Sequence, residues 1–407
     1  MTGQLASGAT RRAALAALFL AGLAGVSGAQ AQANKEPLKV GALFATTGAG
    51  AQTGLAALLG ARMAAAEINA AGGILGRQVQ LVQGDDAGDA TMAVTETKRI
   101  VYQDKVSIML GPIFSPTTIA AAKAVMVNEP GITYWSFATS NQITPELAPT
   151  LFTYGPGSDA IADAMADYAL DVKKAKAVAI LIDDAQQSVL IGERIKVRMA
   201  QRGATPVAMD QFPINSTDLT PVLLRLRAKN ADFILSPHSF SSDTATIVKN
   251  IDELGWNVDM AGNNGVVITY PVIAKAAGPA VKHLVAGVGI KPFTYCAADA
   301  VGTSDYAKFL VRLKSFAPNM DPATQIVNVA EMYDILYIAK AAAEGVGSTD
   351  GKKMTEWLEN NSDKLKPLAA YPHLSKTNHF LALADSLTMV DNLGQLRSDG
   401  LLKRAGC

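Results

Sequence analysis

Short apolar runs alternate with helix-like segments along the first part of the chain. The run Leu38–Phe44 is almost entirely apolar and predicts a buried strand. In the next segment, 54–71, large apolar residues recur at three- and four-residue intervals, which predicts a helix. Further strands are predicted at 79–83, 106–110 and 132–137, with helices at 89–103 and 117–127 between them. This alternation predicts βαβ units, and therefore a parallel sheet with helices on both faces.

The same alternation begins again after the segment Gly155-Pro156-Gly157. It predicts strands at 177–182, 206–209, 233–235 and 286–290, and helices at 161–170, 189–201, 219–229 and 243–254. One open sheet rarely holds so many units, so we expect an α/β protein with two Rossmann-like lobes. Lobe 1 is assigned 34–157 and about 288–368, including long helices at 306–316 and 326–344. Lobe 2 is assigned 158–287 and about 369–407, with 400–407 expected to form a frayed tail.

The first 33 residues differ from the rest and predict a secretory signal peptide. Arg11 and Arg12 precede an uncharged run at 13–26, and Ala-X-Ala sites follow at 29–31 and 31–33. The uncharged run is shorter than the ~20 apolar residues that a membrane-spanning helix needs. We therefore expect an exported protein. The arginine pair leaves open whether it takes the general or the twin-arginine route.

Composition narrows the possible functions. The 407 residues include 36 Lys and Arg and 36 Asp and Glu, and no cluster of Lys and Arg forms a basic stripe, so no nucleic-acid partner is expected. The two cysteines, Cys296 and Cys407, are too few for a disulfide-stapled fold and form no C-x-x-C metal site. Whether they pair with each other stays open.

Three loops at predicted strand ends carry residue types that bind small ligands. The first, 45–54, is rich in glycine, but its glycines lie one residue away from the dinucleotide-binding spacing. The second, 111–118, contains Ser115 where a helix begins, so its hydroxyl and nearby N–H groups can bind an anion. An ordinary helix cap explains the same serine. The third loop, 135–140, is also rich in hydroxyl groups.

Signatures of catalysis are missing from the sequence. The chain contains no G-x-S-x-G, H-E-x-x-H or G-x-x-x-x-G-K-[ST] sequence, and its four histidines show no metal-ligand spacing. We therefore expect no enzymatic activity, no cofactor and no metal site.

Several motifs occur in an order that points to one family. They are N-x-x-G-G-I-x-G at 69–76, Asp85-Asp86, G-x-x-x-S at 111–115 and Thr144-Pro145-Glu146-Leu147. With these motifs the chain resembles, from about residue 38 to 344, the periplasmic leucine/isoleucine/valine-binding proteins of ABC transporters. The resemblance implies two α/β lobes, joined by three hinge crossings, that close on a solute. It also implies a periplasmic location and an inner-membrane ABC permease as partner.

The resemblance also implies which residues hold the ligand. Ser115 matches the serine with which the family binds a ligand carboxylate. Thr139, with Phe137 or Ala138 beside it, matches the second part of that site, and the register within 137–140 stays open by one residue. In lobe 2, amino-acid binders place a carboxylate against the ligand ammonium, but the matching residue here is Asn264. An amide offers no countercharge, and an unpaired buried ammonium is costly.

Other positions in the resemblance concern the size and charge of the pocket. Thr53 and Ser188 stand where the family has aromatic residues, which predicts a roomier pocket, and Phe240 keeps an aromatic ring. Asp184 or Asp243 remains an alternative source of the missing negative charge.

These departures predict the class of ligand. It carries a carboxylate and has no need of an α-ammonium, so an organic or aromatic acid fits as well as an amino acid. We expect a monomeric binding protein of a branched-chain-amino-acid-type ABC importer. A ligand-sensing receptor that signals to a membrane or regulatory partner is the alternative.

Overall fold

The computed structural model describes residues 35–237, 240–321 and 324–407, which form two lobes around two sheets. The predicted signal peptide, 1–33, lies outside the described residues. Within the described part of the chain, no helix combines the length and the apolar character that crossing a membrane requires.

Lobe 1 is built on a sheet of five parallel strands. The strands are β1 (Leu38–Phe44), β2 (Val79–Asp85), β3 (Ile108–Leu110), β4 (Thr133–Ser136) and β5 (Leu151–Thr153). They lie in the order β2-β1-β3-β4-β5. The helices between them are α1 (Ala51–Ala70), α2 (Ala90–Lys98) and α3 (Ser115–Ala124). Because all five strands are parallel, the loops that follow β1, β3 and β4 meet at one edge of the sheet.

Lobe 2 repeats the pattern. Its strands begin with β6 (Val178–Asp183), β7 (Ala208–Phe212), β8 (Phe233–Ser236), β9 (Asp259–Gly262) and β10 (Leu284–Ile290). Its helices are α4 (Ser158–Asp167), α5 (Gln186–Gln201), α6 (Thr220–Ala228), α7 (Ser241–Glu253), α8 (Asn264–Ile268) and α9 (Tyr270–Ala277). The inner strands β3, β4, β6 and β8 are buried along their whole length, as expected of parallel sheets covered by helices, whereas β2 and β7 at the sheet edges are partly exposed.

The chain then returns to lobe 1 before it completes lobe 2. The short strand β11 (Thr294–Tyr295) precedes α10 (Asp305–Phe316), α11 (Ile326–Val346) and α12 (Gly351–Asn360), which pack on lobe 1. The strand β12 (Leu387–Asp391) then joins the second sheet antiparallel to β10, and β13 (Leu402–Lys403) pairs with β11. The second sheet has the order β12-β10-β9-β8-β6-β7. The chain thus crosses between the lobes three times, after β5, after β10 and before β12.

The two lobe boundaries predicted at about 287 and about 368 lie elsewhere in the structure. Strand β10 continues past the predicted boundary at 287, because Ile290 still pairs with Leu387 of β12. The segment 369–382 was assigned to lobe 2 but packs on lobe 1, where Phe380 bridges to Thr153 and Leu381 lies in the core. Local periodicity does not report these pairings, since their partners are distant along the chain.

The predicted frayed tail is also corrected. Leu402 pairs with Thr294 and the N–H of Arg404 donates to the carbonyl of Tyr295, so the last residues are held at the second crossing. Cys407 forms a disulfide with Cys296, which decides the pairing that the sequence left open.

The helix α11 packs along α1 at the centre of lobe 1. The two backbones approach so closely at Gly60 that a Cβ atom there would lie 2.2 Å from the carbonyl oxygen of Val329. Only glycine fits this position, and the close approach fixes how α11 lies against the first sheet.

We predict that Gly60→Ala lowers the free energy of unfolding by about 1–2 kcal/mol. Overpacking costs about 1–3 kcal/mol, and the better helix propensity of alanine offsets up to about 1 kcal/mol of it. Urea unfolding of the two proteins measures the difference. Gly131→Ala is the control, because a Cβ at Gly131 meets no atom within 4 Å. Equal stability of G60A and the parent would contradict the close packing.

We predict that Cys296→Ser/Cys407→Ser lowers the free energy of unfolding by about 2–4 kcal/mol, since the bond restricts the unfolded chain over a long loop. The two cysteines are 111 residues apart. Urea unfolding with and without reductant measures the effect. The parent should lose stability on reduction while the double variant does not change; a parent indifferent to reductant would show that the bond contributes nothing.

Candidate ligand-binding site

A cavity lies between the lobes, at the carboxyl ends of the strands. On lobe 1, the loops after β3 and β4 and the start of α11 line this cavity. On lobe 2, the start of α8 lines it. Its lining includes Thr53, Ser115, Ala138, Thr139, Asn264, Gln325 and Asn328. A second, more enclosed cavity (the deeper cavity) adjoins it, since both are lined by Phe137, Thr139, Asn264, Ile268 and Asn328.

Ser115 joins two loops at the lobe 1 wall. Its Oγ accepts hydrogen bonds from the N–H groups of Thr139 and Ser140, both over 3.3 Å. The N-cap of α3 is Phe114, and no side chain caps this helix. The hydroxyl of Ser115 therefore reaches across to the loop after β4 instead of capping its own helix. A hydroxyl and two N–H groups that converge in this way suit an anion.

The loop after β4 is held from several sides. The N–H of Ala138 donates to Ser136 Oγ over 3.0 Å, and the Thr153 hydroxyl donates to the carbonyl of Ala138. The N–H of Ser158, at the first crossing, donates to the carbonyl of Thr139 over 2.9 Å. These bonds preorganise the N–H groups that face Ser115.

Thr53 lies at the opposite side of the same wall. Its hydroxyl donates to Gln325 Oε1 over 2.8 Å, which links α1 to the residue before α11. Sequence reasoning missed both Gln325 and Asn328. The signal was present: three polar residues, Gln325, Asn328 and Glu331, recur at three-residue intervals at the start of an otherwise apolar helix.

The lobe 2 wall centres on the start of α8. Asn263 is the N-cap: its Oδ1 accepts from the N–H of Gly265 and its Nδ2 donates to the carbonyl of Pro237, both over 2.8 Å. Asn264 is the next residue and lines both cavities. The segment is thus a helix start that presents Asn264 to the cleft, and not a simple turn.

Two of the predicted site residues lie outside the cavities. Ser188 is buried in the first turn of α5, where its Oγ accepts from the N–H of Asp183 over 3.2 Å. Phe240 precedes α7 with 43% of its surface exposed. Both residues follow strands of lobe 2 at the cleft-facing edge of the sheet, but neither belongs to the lining.

The two acids considered as a substitute charge are also elsewhere. Asp184 is exposed and accepts from the N–H of Ile214 over 3.0 Å. Asp243 is buried and accepts from the N–H of Asn215 over 3.1 Å; burial raises the pKa of its carboxyl. Among the described residues, lobe 2 therefore brings no carboxylate to the lining of either cavity.

The deeper cavity is apolar apart from a few polar groups. Its walls include Val288, Phe293 and Leu387, and Glu331 of α11 reaches it. Burial, with a smaller contribution from Asp334, raises the pKa of Glu331 to about 8, so this side chain holds a proton at neutral pH.

Asp334, one turn further along α11, is buried but well bonded. It accepts from the Tyr154 hydroxyl and from the N–H groups of Leu368 and Ala369, over 2.7 and 3.1 Å. Burial raises its pKa to about 7, and the hydrogen bonds oppose that rise.

We predict that stability falls as the pH rises from 6 to 8 and that Glu331→Gln makes the fall shallower. The unfolded chain releases the Glu331 proton near its ordinary pKa of 4.5, whereas the folded protein keeps it until about pH 8. Ionisation therefore favours unfolding in this range, by up to about 1.4 kcal/mol per pH unit for one group. Asp334, whose charge acts on Glu331, also has a raised pKa, of about 7. Its ionisation therefore adds to the loss of stability below about pH 7 in both the parent and E331Q.

Urea unfolding at pH 5, 6, 7 and 8 measures the two slopes. Glu344→Gln is the matched control, because Glu344 lies on the same helix and is exposed. The same slope in E331Q as in the parent would show that Glu331 ionises normally in the folded protein.

Two α/β lobes that enclose a cleft lined from both sides define a two-lobed solute-binding protein. The profile of the periplasmic binding protein family matches residues 37–382, and the chain belongs to this family. An amino acid binding protein of Pseudomonas aeruginosa is 27% identical over 317 residues, which cover 77% of this chain and 80% of that protein.

Solved structures share the fold. The periplasmic binding protein type 1 of Bordetella pertussis has a TM-score of 0.75 at 22% identity and covers 90% of this chain and 99% of its own. LivJ of Streptococcus pneumoniae is a branched-chain amino acid transporter substrate-binding protein solved in complex with isoleucine. Its TM-score is 0.69 at 21% sequence identity, and the match covers 90% of this chain and 97% of LivJ. An ABC-transporter solute-binding protein of Rhodopseudomonas palustris was solved in complex with 4-hydroxybenzoate. Its TM-score is 0.70 at 17% sequence identity, and the match covers 91% of this chain and 96% of that protein.

Proposed function

We propose that this protein binds a small carboxylate in the cleft between its lobes and delivers it to an ABC importer in the inner membrane. The observation that carries the proposal is the convergence of the Ser115 hydroxyl with the N–H groups of Thr139 and Ser140. A carboxylate placed there would accept hydrogen bonds from all three groups. Bonds to a charged acceptor are stronger than the neutral bonds that Ser115 accepts without it.

The ligand is an organic or aromatic acid rather than a zwitterionic amino acid. Asn264 lines the lobe 2 wall without bringing a charge, and Asp184 and Asp243 lie outside the cavities. An α-ammonium bound next to the carboxylate would meet no carboxylate from the described residues of lobe 2, and an ammonium without a countercharge is costly in a closed cleft. The apolar walls of the deeper cavity suit a ring or an alkyl chain. Relatives of this fold bind isoleucine in one case and 4-hydroxybenzoate in another, so the fold accommodates both classes.

Binding works through closure of the lobes and not through chemistry. A ligand held by Ser115 on lobe 1 gains contacts with Asn264 on lobe 2 only when the lobes approach. This differential contact shifts the population toward the closed state, which the permease would recognise. We further propose that the chain acts as a monomer in the periplasm, that residues 1–33 direct its export, and that it turns over no substrate.

The class of ligand is tested on protein purified by unfolding and refolding, which removes ligand carried from the cell. A thermal-shift panel pairs each amino acid with benzoate-type, keto and dicarboxylic acids. A ligand at 100 times its Kd adds ~2.7 kcal/mol of stability. Shifts with plain acids support the proposal, and shifts only with amino acids would overturn the proposed class.

We predict that Ser115→Ala weakens binding of the best acid at least about tenfold. A hydrogen bond to a charged group contributes about 1.5–3 kcal/mol, and 1.4 kcal/mol is a factor of ten. Isothermal titration calorimetry measures the two Kd values. Ser315→Ala is the matched control, because the Ser315 hydroxyl lies on the exposed face of α10 and bonds only its own helix. Equal Kd values for S115A and S315A would remove Ser115 from the site.

A further inference from the structure

Two polar side chains of α11 face the cavities without partners of their own. Asn328 lines both cavities, is 6% exposed, and its Oδ1 has no hydrogen-bond partner within the described residues. Glu331 lies one turn further on, is 8% exposed and lines the deeper cavity. Its carboxyl makes no hydrogen bond to any other part of the chain that the structure describes. Both side chains are therefore buried polar groups that point at a ligand space.

A third buried polar residue of α11, Asp334, is bonded quite differently. Asp334 is as deeply buried, yet its carboxyl accepts three hydrogen bonds, from Tyr154, Leu368 and Ala369. Buried polar groups that serve only the fold are almost always bonded in this way, because an unbonded one costs free energy. Val329 and Ala330, between the two, lie in the apolar core of lobe 1, whereas Asn328 and Glu331 lie on the side of α11 that lines the cavities.

The two adjoining cavities share part of their lining and differ in the rest. Ser115 lines only the first cavity, whereas Glu331 lines only the deeper one. Phe137 and Ile268 line both and provide apolar walls. Asn328 and Glu331, at i and i+3, present their polar atoms about one helical turn apart. A ligand that fills both cavities would meet the Ser115 hydroxyl in the first, the apolar walls that the two share, and Glu331 in the deeper one, with Asn328 on the shared lining.

We propose that Asn328 and Glu331 recognise a neutral hydroxyl group at the end of the ligand opposite its carboxylate. This inference rests on the proposed function and makes the ligand a hydroxylated acid with a flat or apolar core, such as a hydroxyaromatic acid. A hydroxyl both donates and accepts, so it can donate to Asn328 Oδ1 and accept from a protonated Glu331. An ammonium would donate only and would require an ionised acid. The two residues select the ligand and do not take part in any reaction.

The test compares benzoate with 4-hydroxybenzoate, which differ only by the far hydroxyl. Isothermal titration calorimetry at pH 7 gives the ratio of their Kd values for the parent and for each variant. We expect the parent to prefer 4-hydroxybenzoate at least tenfold. The preference should fall to less than threefold in Glu331→Leu and in Asn328→Ala. It should be largely kept in Glu331→Gln, whose amide can still donate. The probe 4-methoxybenzoate, which cannot donate, should bind the parent no better than benzoate.

Controls separate this inference from folding and from the proposed function. Glu344→Leu makes the same change on the exposed face of α11 and should leave the preference unchanged. Thermal unfolding shows whether each variant is folded, and E331Q, close in shape to the protonated acid, keeps the comparison available if E331L does not fold. Suppose both acids bind through Ser115, but the hydroxyl preference is absent or is unchanged in E331L and N328A. The role of Asn328 and Glu331 is then wrong, while the proposed function still holds. If neither acid binds and S115A changes no ligand's affinity, the proposed function fails together with that role.

Discussion

The close packing of α11 on α1 is the constraint on which the cleft depends. At Gly60 the absence of a side chain lets the Val329 carbonyl approach α1, and the dense core around it leaves the helix one position. That position sets where the start of α11 meets the cleft. Gln325 then bonds Thr53, and Asn328 and Glu331 face the cavities. A packing contact in the middle of lobe 1 thus decides which polar atoms a ligand meets between the lobes.

The same helix also anchors the hinge. Asp334 bonds Tyr154, which lies at the first crossing, and Leu368 and Ala369, which lie before the third. The second crossing is held differently, by the pairing of β11 with β13 and by the disulfide between Cys296 and Cys407. All three crossings therefore start from residues held by hydrogen bonds, strand pairing or the disulfide. The proposed closure would then be confined to the few residues between the lobes. A binding protein needs this, because a hinge with one defined path lets ligand contacts favour one closed state.

Much of the fold was readable from local pattern. The predicted strand Leu38–Phe44 coincides with β1, and the βαβ alternation on both sides of residue 155 corresponds to the two sheets. The strands β5, β9 and β12, of three, four and five residues, were not predicted, because apolar runs of this length cannot be told from helix or loop segments by periodicity alone. The segment 369–382 was placed on the wrong lobe, since its bridge from Phe380 to Thr153 spans more than half of the chain. In the cleft, the predicted Thr53, Ser115, Ala138, Thr139 and Asn264 come together, whereas Ser188 and Phe240 do not.

The sequence by itself determined the α/β class, the two-lobe division and the presence of hydroxyl-bearing loops at strand ends. These features depend on residues that are neighbours along the chain, so the period of apolar positions and the loop composition report them directly. Only the tertiary structure decided that Ser115 bonds the loop after β4, that Cys407 meets Cys296, and that Glu331 reaches a cavity between the lobes. Each of these depends on segments that are distant in sequence, and their meeting is set by how helices and sheets pack and not by any local pattern.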